Sequence, residues 1–237
     1  MKRALVKTNG SLAGKAYETI REKILRGDFS VNTVLSRRQI AEELKISLPP
    51  VYEAIQRLEA DGLLESKPRV GTRLRIPSRQ DVEDRGIVRE ALESQSARLF
   101  AEHASAKEKQ ELVLMAKRLD KLYIVWESGR NDREFVYQLN TLHLRLHVHI
   151  ASCSRSRALR EAIEREQALI FNWFYDVVAQ RRVMGHDFHS KLASALISGD
   201  PVKADAAMRS HIQFGLGEVL SKIVDLKNDA GWRLRRA

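Results

Sequence analysis

Six of the seven histidines in this 237-residue chain lie after residue 140. Imidazole titrates near neutral pH and carries a lone pair in its neutral form, so it serves as acid, base or metal ligand. His143 and His147 are four residues apart and share one face of a helix, whereas His149, two residues further on, turns away. His189 and His211 stand twenty-two residues apart on two later helical segments. A lone histidine on an amphipathic helix is usually a polar core residue. Four that converge from three helices are poorly satisfied in an apolar interior unless something accepts their lone pairs, and a divalent cation does so. We therefore expect His143, His147, His189 and His211 to hold a metal ion.

Other chemistry is sparse. There is no phosphate-binding glycine-rich loop, no His-Glu-x-x-His motif and no nucleophile-base-orienter set, and no carboxylate is spaced to join the four histidines on their helix faces. A metal hydrolase would need such a base, so the sequence predicts no enzyme. The single cysteine, Cys153, excludes an intramolecular disulfide and reads as a small buried apolar residue. No apolar run approaches a membrane span and no apolar signal core follows Lys2 and Arg3, so the expectation is a cytoplasmic protein without membrane contact.

The elements that must position these groups divide near residue 78. Residues 1–78 carry 15 basic and 9 acidic side chains, and residues 79–237 carry 26 and 22, so positive charge is densest at the N-terminal end. A polyanionic partner for that end follows. Tyr17, Ile20 and Ile24 recur at helical spacing up to Gly27. Ser36 and Gln39 open a short second helix, and Ser47 opens a third with Val51, Ile55 and Leu58 as its buried stripe. Only about Lys45 and Ile46 separate the last two, which forces a helix-turn-helix crossing. Pro49 and Pro50 are tolerated in a first turn, where the missing N–H groups have no intrahelical acceptor. Leu63 to Ser66 and Arg73 to Ile76 read as strands flanking a turn over Lys67 to Thr72, marked by Pro68 and Gly71.

From Gln80 the pattern is helical, with segments expected at roughly 80–104, 107–128, 132–152, 156–182, 184–198 and 201–226. The fold class expected is mainly α: a winged helix-turn-helix of three helices and a β-hairpin over 1–78, then an antiparallel bundle of about six helices over 79–237.

The segments YETIREKILRGDF, LSRRQIAEELKIS, PVYEAIQRLEADGLLE and RVGTRLR resemble the DNA-binding domain of the GntR family of bacterial regulators. The resemblance implies that the third helix enters the major groove of a double-stranded operator while the wing approaches the adjacent backbone or minor groove. By position it carries DNA contact to Arg38, Ser47, Pro49, Arg69, Val70, Gly71 and Thr72, and Arg37, Leu48, Tyr52 and Arg57 are expected to join them. Leu48 and Tyr52 stand where the family commonly has arginines, so readout there passes to an apolar contact such as a thymine methyl, or to the tyrosine hydroxyl.

HSKLASALISGDPVKADAAMRSHI, LHVHIASCSRSRAL and VREALESQSARLFAEHAS are similar to the FCD effector domain of the family's FadR subfamily. In metal-binding members an aspartate precedes the helix histidine by four, and His143 occupies that place, which favours a borderline ion: zinc first, with nickel, iron or manganese as alternatives. The resemblance places Arg89 near a pocket for a small organic acid effector, with Asn172 expected to line the same cavity; an ion pair of Arg89 with Glu93 one turn on is the competing reading. It also implies a homodimer whose helical domains form the interface on a two-fold operator.

Overall fold

The computed structural model describes residues 10–29, 34–75, 77–130, 132–166 and 185–228. Two compact units form, Met1–Ile76 and Pro77–Ala237.

In the first unit, α1 (Leu12–Leu25) is capped by Ser11, whose hydroxyl accepts from Gly14 N at 3.0 Å. Ser36 accepts from Gln39 N to start α2 (Arg37–Leu44), and Lys45 ends that helix in the left-handed region at φ 52°. That residue reverses the chain into α3 (Leu48–Ala60), which has Pro49 and Pro50 in its first turn. Ala16, Ile20 and Ile24 of α1 and Val51, Ala54, Ile55 and Leu58 of α3 are all buried to about 1% or less and form the centre of the unit. Apolar residues three and four apart thus make the two helices pack, as helical periodicity requires.

Strands β1 (Leu64–Lys67) and β2 (Gly71–Leu74) pair antiparallel, from Leu64↔Leu74 to Lys67↔Gly71, and Leu35 bridges to Thr72. The hairpin is therefore tighter than its sequence suggests, with a tip confined to Pro68, Arg69 and Val70. Gly71 and Thr72, expected in the turn, are strand residues, because setting Leu64 opposite Leu74 buries both. The end of the expected second strand, Ile76, lies outside the described residues.

The second unit is helical. Its elements are α4 (Arg79–His103), α5 (Ala106–Glu127), α6 (Arg133–Cys153), α7 (described over 157–166), α8 (Phe188–Ile197) and α9 (Pro201–Asn228). Ser78 with Asp81 and Ser105 with Glu108 form capping boxes that start α4 and α5, and Asp132 caps α6. Phe100, Leu112, Leu119, Trp126, Leu139, Leu146 and Leu196 are fully buried between the helices, with Cys153 among them. The expected helix over 156–182 is described only to residue 166.

Gly71 has φ +104°, and a Cβ there would lie 2.6 Å from Val34 Cγ1. Gly71→Ala is therefore expected to destabilise the N-terminal unit by roughly 1–3 kcal/mol, the range for a non-glycine residue held in a sparsely populated region. Urea denaturation of the two proteins measures it; equal midpoints would mean that the hairpin accommodates the methyl group.

Candidate metal centre and nucleic-acid interface

Helix α6 presents His143 and His147 on one face, α8 brings His189 and α9 brings His211. The Nε2 atoms of His143 and His147 are 3.1 Å apart, and His211 Nε2 lies 3.3 Å from each. His143, His189 and His211 each offer a ring nitrogen within 4.8 Å of the others. Exposure is 0% at His189, 2% at His147 and 7% at His211. Tyr123 stacks on the His189 ring at 5.1 Å, and Phe188 on His211 at 4.8 Å, so aromatic faces wall the cluster. His149 turns away, with its Nε2 3.0 Å from the Glu108 carbonyl oxygen.

Carboxylates stand behind two of the rings. His189 Nδ1 donates to Asp120 Oδ1 at 2.9 Å, and His147 Nδ1 contacts the Glu93 carboxylate, which also accepts from Arg89 Nε at 2.9 Å. Burial works to raise the Glu93 carboxyl, but the Arg89 guanidinium and the contact with the His147 ring prevail and hold it down to about 2. Asp120 is likewise lowered, since hydrogen bonds from His189 and Ser190 outweigh its burial. The sequence pointed to Glu93 only as the ion-pair partner of Arg89, and carried no sign of Asp120 or of the contact between Glu93 and His147. The two carboxylates sit on α4 and α5 and meet the histidines only through packing, so no spacing along the histidine helices could reveal them. Both are engaged by donors and neither is an open base.

Burial, followed by the neighbouring imidazoles, pushes His143 and His211 well below their ordinary range, and the Arg89 charge adds to this. Burial also lowers His189, against the pull of Asp120. These rings are therefore neutral. With Nδ1 of His147 and His189 turned to carboxylates, their Nε2 lone pairs remain for the centre, and His189 Nε2 is buried without a hydrogen bond among the described residues. Nitrogens about 2.0–2.1 Å from a tetrahedral zinc stand roughly 3.3 Å from one another, close to the spacing among His143, His147 and His211. The donor set fits a metal ion in chemistry and in spacing. Arg89 belongs to this cluster, but it is buried against Glu93 rather than open to a ligand. Asn172 lies outside the described residues.

On the N-terminal unit, Arg38, Ser47, Pro49, Arg69 and Gly71 are exposed, as are Leu48 at 39% and Tyr52 at 45%. Arg37 links hairpin and helix: its Nη2 donates to Thr72 Oγ1 at 3.0 Å, and its guanidinium lies 4.6 Å over the Tyr52 ring. Two expected DNA contacts are otherwise employed. Thr72 is 2% exposed, its hydroxyl shared between Arg37 and Ser66, because the hairpin register turns it inward. Arg57 packs over Tyr17 at 4.4 Å, on the side of α3 that faces α1.

Residues 12–74 match the model of the bacterial regulatory proteins of the gntR family, and residues 87–214 match the FCD domain, which alone spans more than half of the chain. The chain belongs to the FCD-bearing GntR regulators. It is 26% identical over 154 residues to the HTH-type transcriptional regulator YdhC of Bacillus subtilis (strain 168), an alignment covering 65% of this chain and 66% of that one, just under two thirds of its length. It is 27% identical over 207 residues to a probable D-xylose utilization operon transcriptional repressor of Paenarthrobacter nicotinovorans, covering 86% and 87%. The fold is that of E. coli McbR/YncC, with a TM-score of 0.71 at 20% identity over 89% of this chain and 98% of that one. This GntR regulator is thus a DNA-binding transcription factor, and its relatives are regulators rather than enzymes. No helix among the described residues is long and apolar enough to cross a membrane.

The depressed histidines set a pH dependence for the metal-free protein. Unfolded imidazoles near 6.5 take up protons that the folded rings refuse, so stability is full above about 6.5 and falls as pH drops below it. The slope approaches about 1.4 kcal/mol per pH unit for each such ring. Urea denaturation in chelator at pH 7.5 and 5.5 should show this loss, and His143→Asn should reduce it. A flat profile would mean that the cluster protonates without penalty.

Proposed function

We propose that this regulator binds a two-fold operator as a homodimer and that a divalent metal, held by His143, His147, His189 and His211, forms part of a small-carboxylate effector site in its FCD domain. The observation that carries the reading is the buried convergence of the His143, His147 and His211 nitrogens at 3.1–3.3 Å, with a His189 nitrogen within 4.8 Å of those of His143 and His211 and carboxylates behind two of the rings. Four imidazole nitrogens favour a borderline ion, zinc before nickel, iron or manganese. The bound ion would supply a positive centre to which a small organic acid could be drawn, with Asn172 proposed to help receive it while Arg89 stays paired with Glu93. Effector binding would act by favouring one spacing of the two recognition helices, and the relative named a repressor supports repression as the default state.

At the DNA, α3 is proposed to enter the major groove through Leu48, Pro49 and Tyr52, with Ser47 at its start, while Arg38 and Arg69 grip phosphates. The exposure of these residues and the bracing of Tyr52 by Arg37 support this arrangement. Apolar contact at Leu48 selects a thymine methyl rather than a guanine edge.

Metal analysis of protein purified without chelators should find about one ion per chain, and His189→Ala should abolish it. Less than about 0.1 ion per wild-type chain would favour a regulator whose histidines pack or meet the effector directly. At the other end, Arg38→Ala should weaken every operator sequence evenly and reduce the salt slope by about one. Leu48→Ala should instead relax preference at one base pair, by about 1–3 kcal/mol. Titrations on an operator and its single-base variants distinguish the two, and an even loss from Leu48→Ala would remove it from base readout.

A further inference from the structure

Helix α8 starts at Phe188, yet the side chain of its own N-cap residue, Asp187, makes no capping hydrogen bond to the helix amides. The amides of its first turn are met from α5 instead. Asp120 Oδ1 accepts from the His189 backbone N–H and from His189 Nδ1, both at 2.9 Å. Its Oδ2 accepts from Ser190 N at 3.0 Å and from the Ser190 hydroxyl at 2.5 Å. A carboxylate accepts only, so all four partners must donate. The imidazole of His189 therefore carries a proton on Nδ1, and in the neutral ring Nε2 keeps the lone pair. That nitrogen is buried without a hydrogen bond among the described residues, on the side where His143 and His211 gather. Tyr123, stacked 5.1 Å from the ring at an interplanar angle of 20°, keeps it in plane.

The second carboxylate of the cluster is different. Glu93 divides its charge between His147 and Arg89, whereas the contacts made by Asp120 are to His189 and to uncharged Ser190 groups. The electron-donating push behind His189 is thus not offset by a guanidinium. Without Asp120 the other tautomer would aim an N–H at the centre and leave no lone pair there.

We propose that Asp120 is a positioning residue of the histidine centre: one carboxylate both starts α8 and holds His189 with its Nε2 lone pair directed at the point shared with His143 and His211, before any cation arrives. The consequence for metal affinity rests on the metal reading above; the preset tautomer does not.

The experiment uses the full chain labelled with ¹⁵N-histidine, free of metal, with long-range ¹H–¹⁵N spectra reporting each ring's tautomer. Wild-type His189 is expected as the Nδ1–H form alone. Asp120→Asn should mix the tautomers and lower Co²⁺ affinity, read by chelator competition, by roughly 10–100-fold. Ser190→Ala removes one of the capping contacts without touching the ring and should leave both readouts near wild type. An Nε2–H or mixed His189 in the wild-type protein overturns the proposal, and so does an Asp120→Asn protein unchanged in tautomer and affinity. A Ser190→Ala protein that matches the Asp120→Asn loss would reduce Asp120 to a helix cap. Should Asp120→Asn fail to fold, the wild-type tautomer decides alone. Wild-type protein with the Nδ1–H form but no Co²⁺ uptake would sink the metal reading while leaving the positioning intact.

Discussion

Neutral imidazoles turned toward one another inside a helical bundle are the constraint around which the effector domain is organised. Each ring has one nitrogen to donate and one lone pair to place, and in an apolar interior neither can be left to water. The protein meets the first demand at two rings with carboxylates from α4 and α5, which leaves the other nitrogens of those two rings turned away from the carboxylates. The helices α4, α5, α6, α8 and α9 therefore share a polar junction as well as an apolar core. Displacing any of them would strand a buried charge or a buried donor, and such losses exceed those of ordinary packing.

The same junction explains why a histidine cluster with acids beside it does not read as a hydrolase. A metal-activated water needs a base within reach of the reacting proton. Glu93 is tied to Arg89 and His147, and Asp120 has four donors around its two oxygens. Both carboxylates are committed to holding histidines. The arrangement suits a site that binds and reports, in keeping with the regulator relatives.

The N-terminal unit follows a comparable logic on a smaller scale. Its third helix carries Leu48 and Tyr52 where the family resemblance places arginines, and a guanidinium reaches Tyr52 from Arg37 on α2. Thr72 and Ser66 of the hairpin hold it, and the Tyr52 ring lies under it. A stacked pair of this kind stiffens an exposed tyrosine whose rotamers would otherwise be free in solution. Hairpin and helix thereby present one surface rather than two independent ones.

Much of this was legible along the chain because it depends on local periodicity. Helix spacing, the Ser caps, the short link at Lys45 and the histidines at intervals of four and twenty-two residues all repeat what the backbone dictates locally. The break near residue 78 and the mainly helical class followed from the same signals. Groups that act across elements were not legible. Glu93 and Asp120 join the centre from helices whose sequence contains no sign of the histidines they face, and Arg89 is drawn into that network instead of standing open. Thr72 is turned inward by a pairing register that the hairpin settles only when Leu64 meets Leu74, and Arg57 is claimed by Tyr17 of a different helix. Sequence determined which residues could share a face; tertiary packing decided which of them meet, because hydrogen bonds and burial depend on distances between elements that no spacing along the chain encodes.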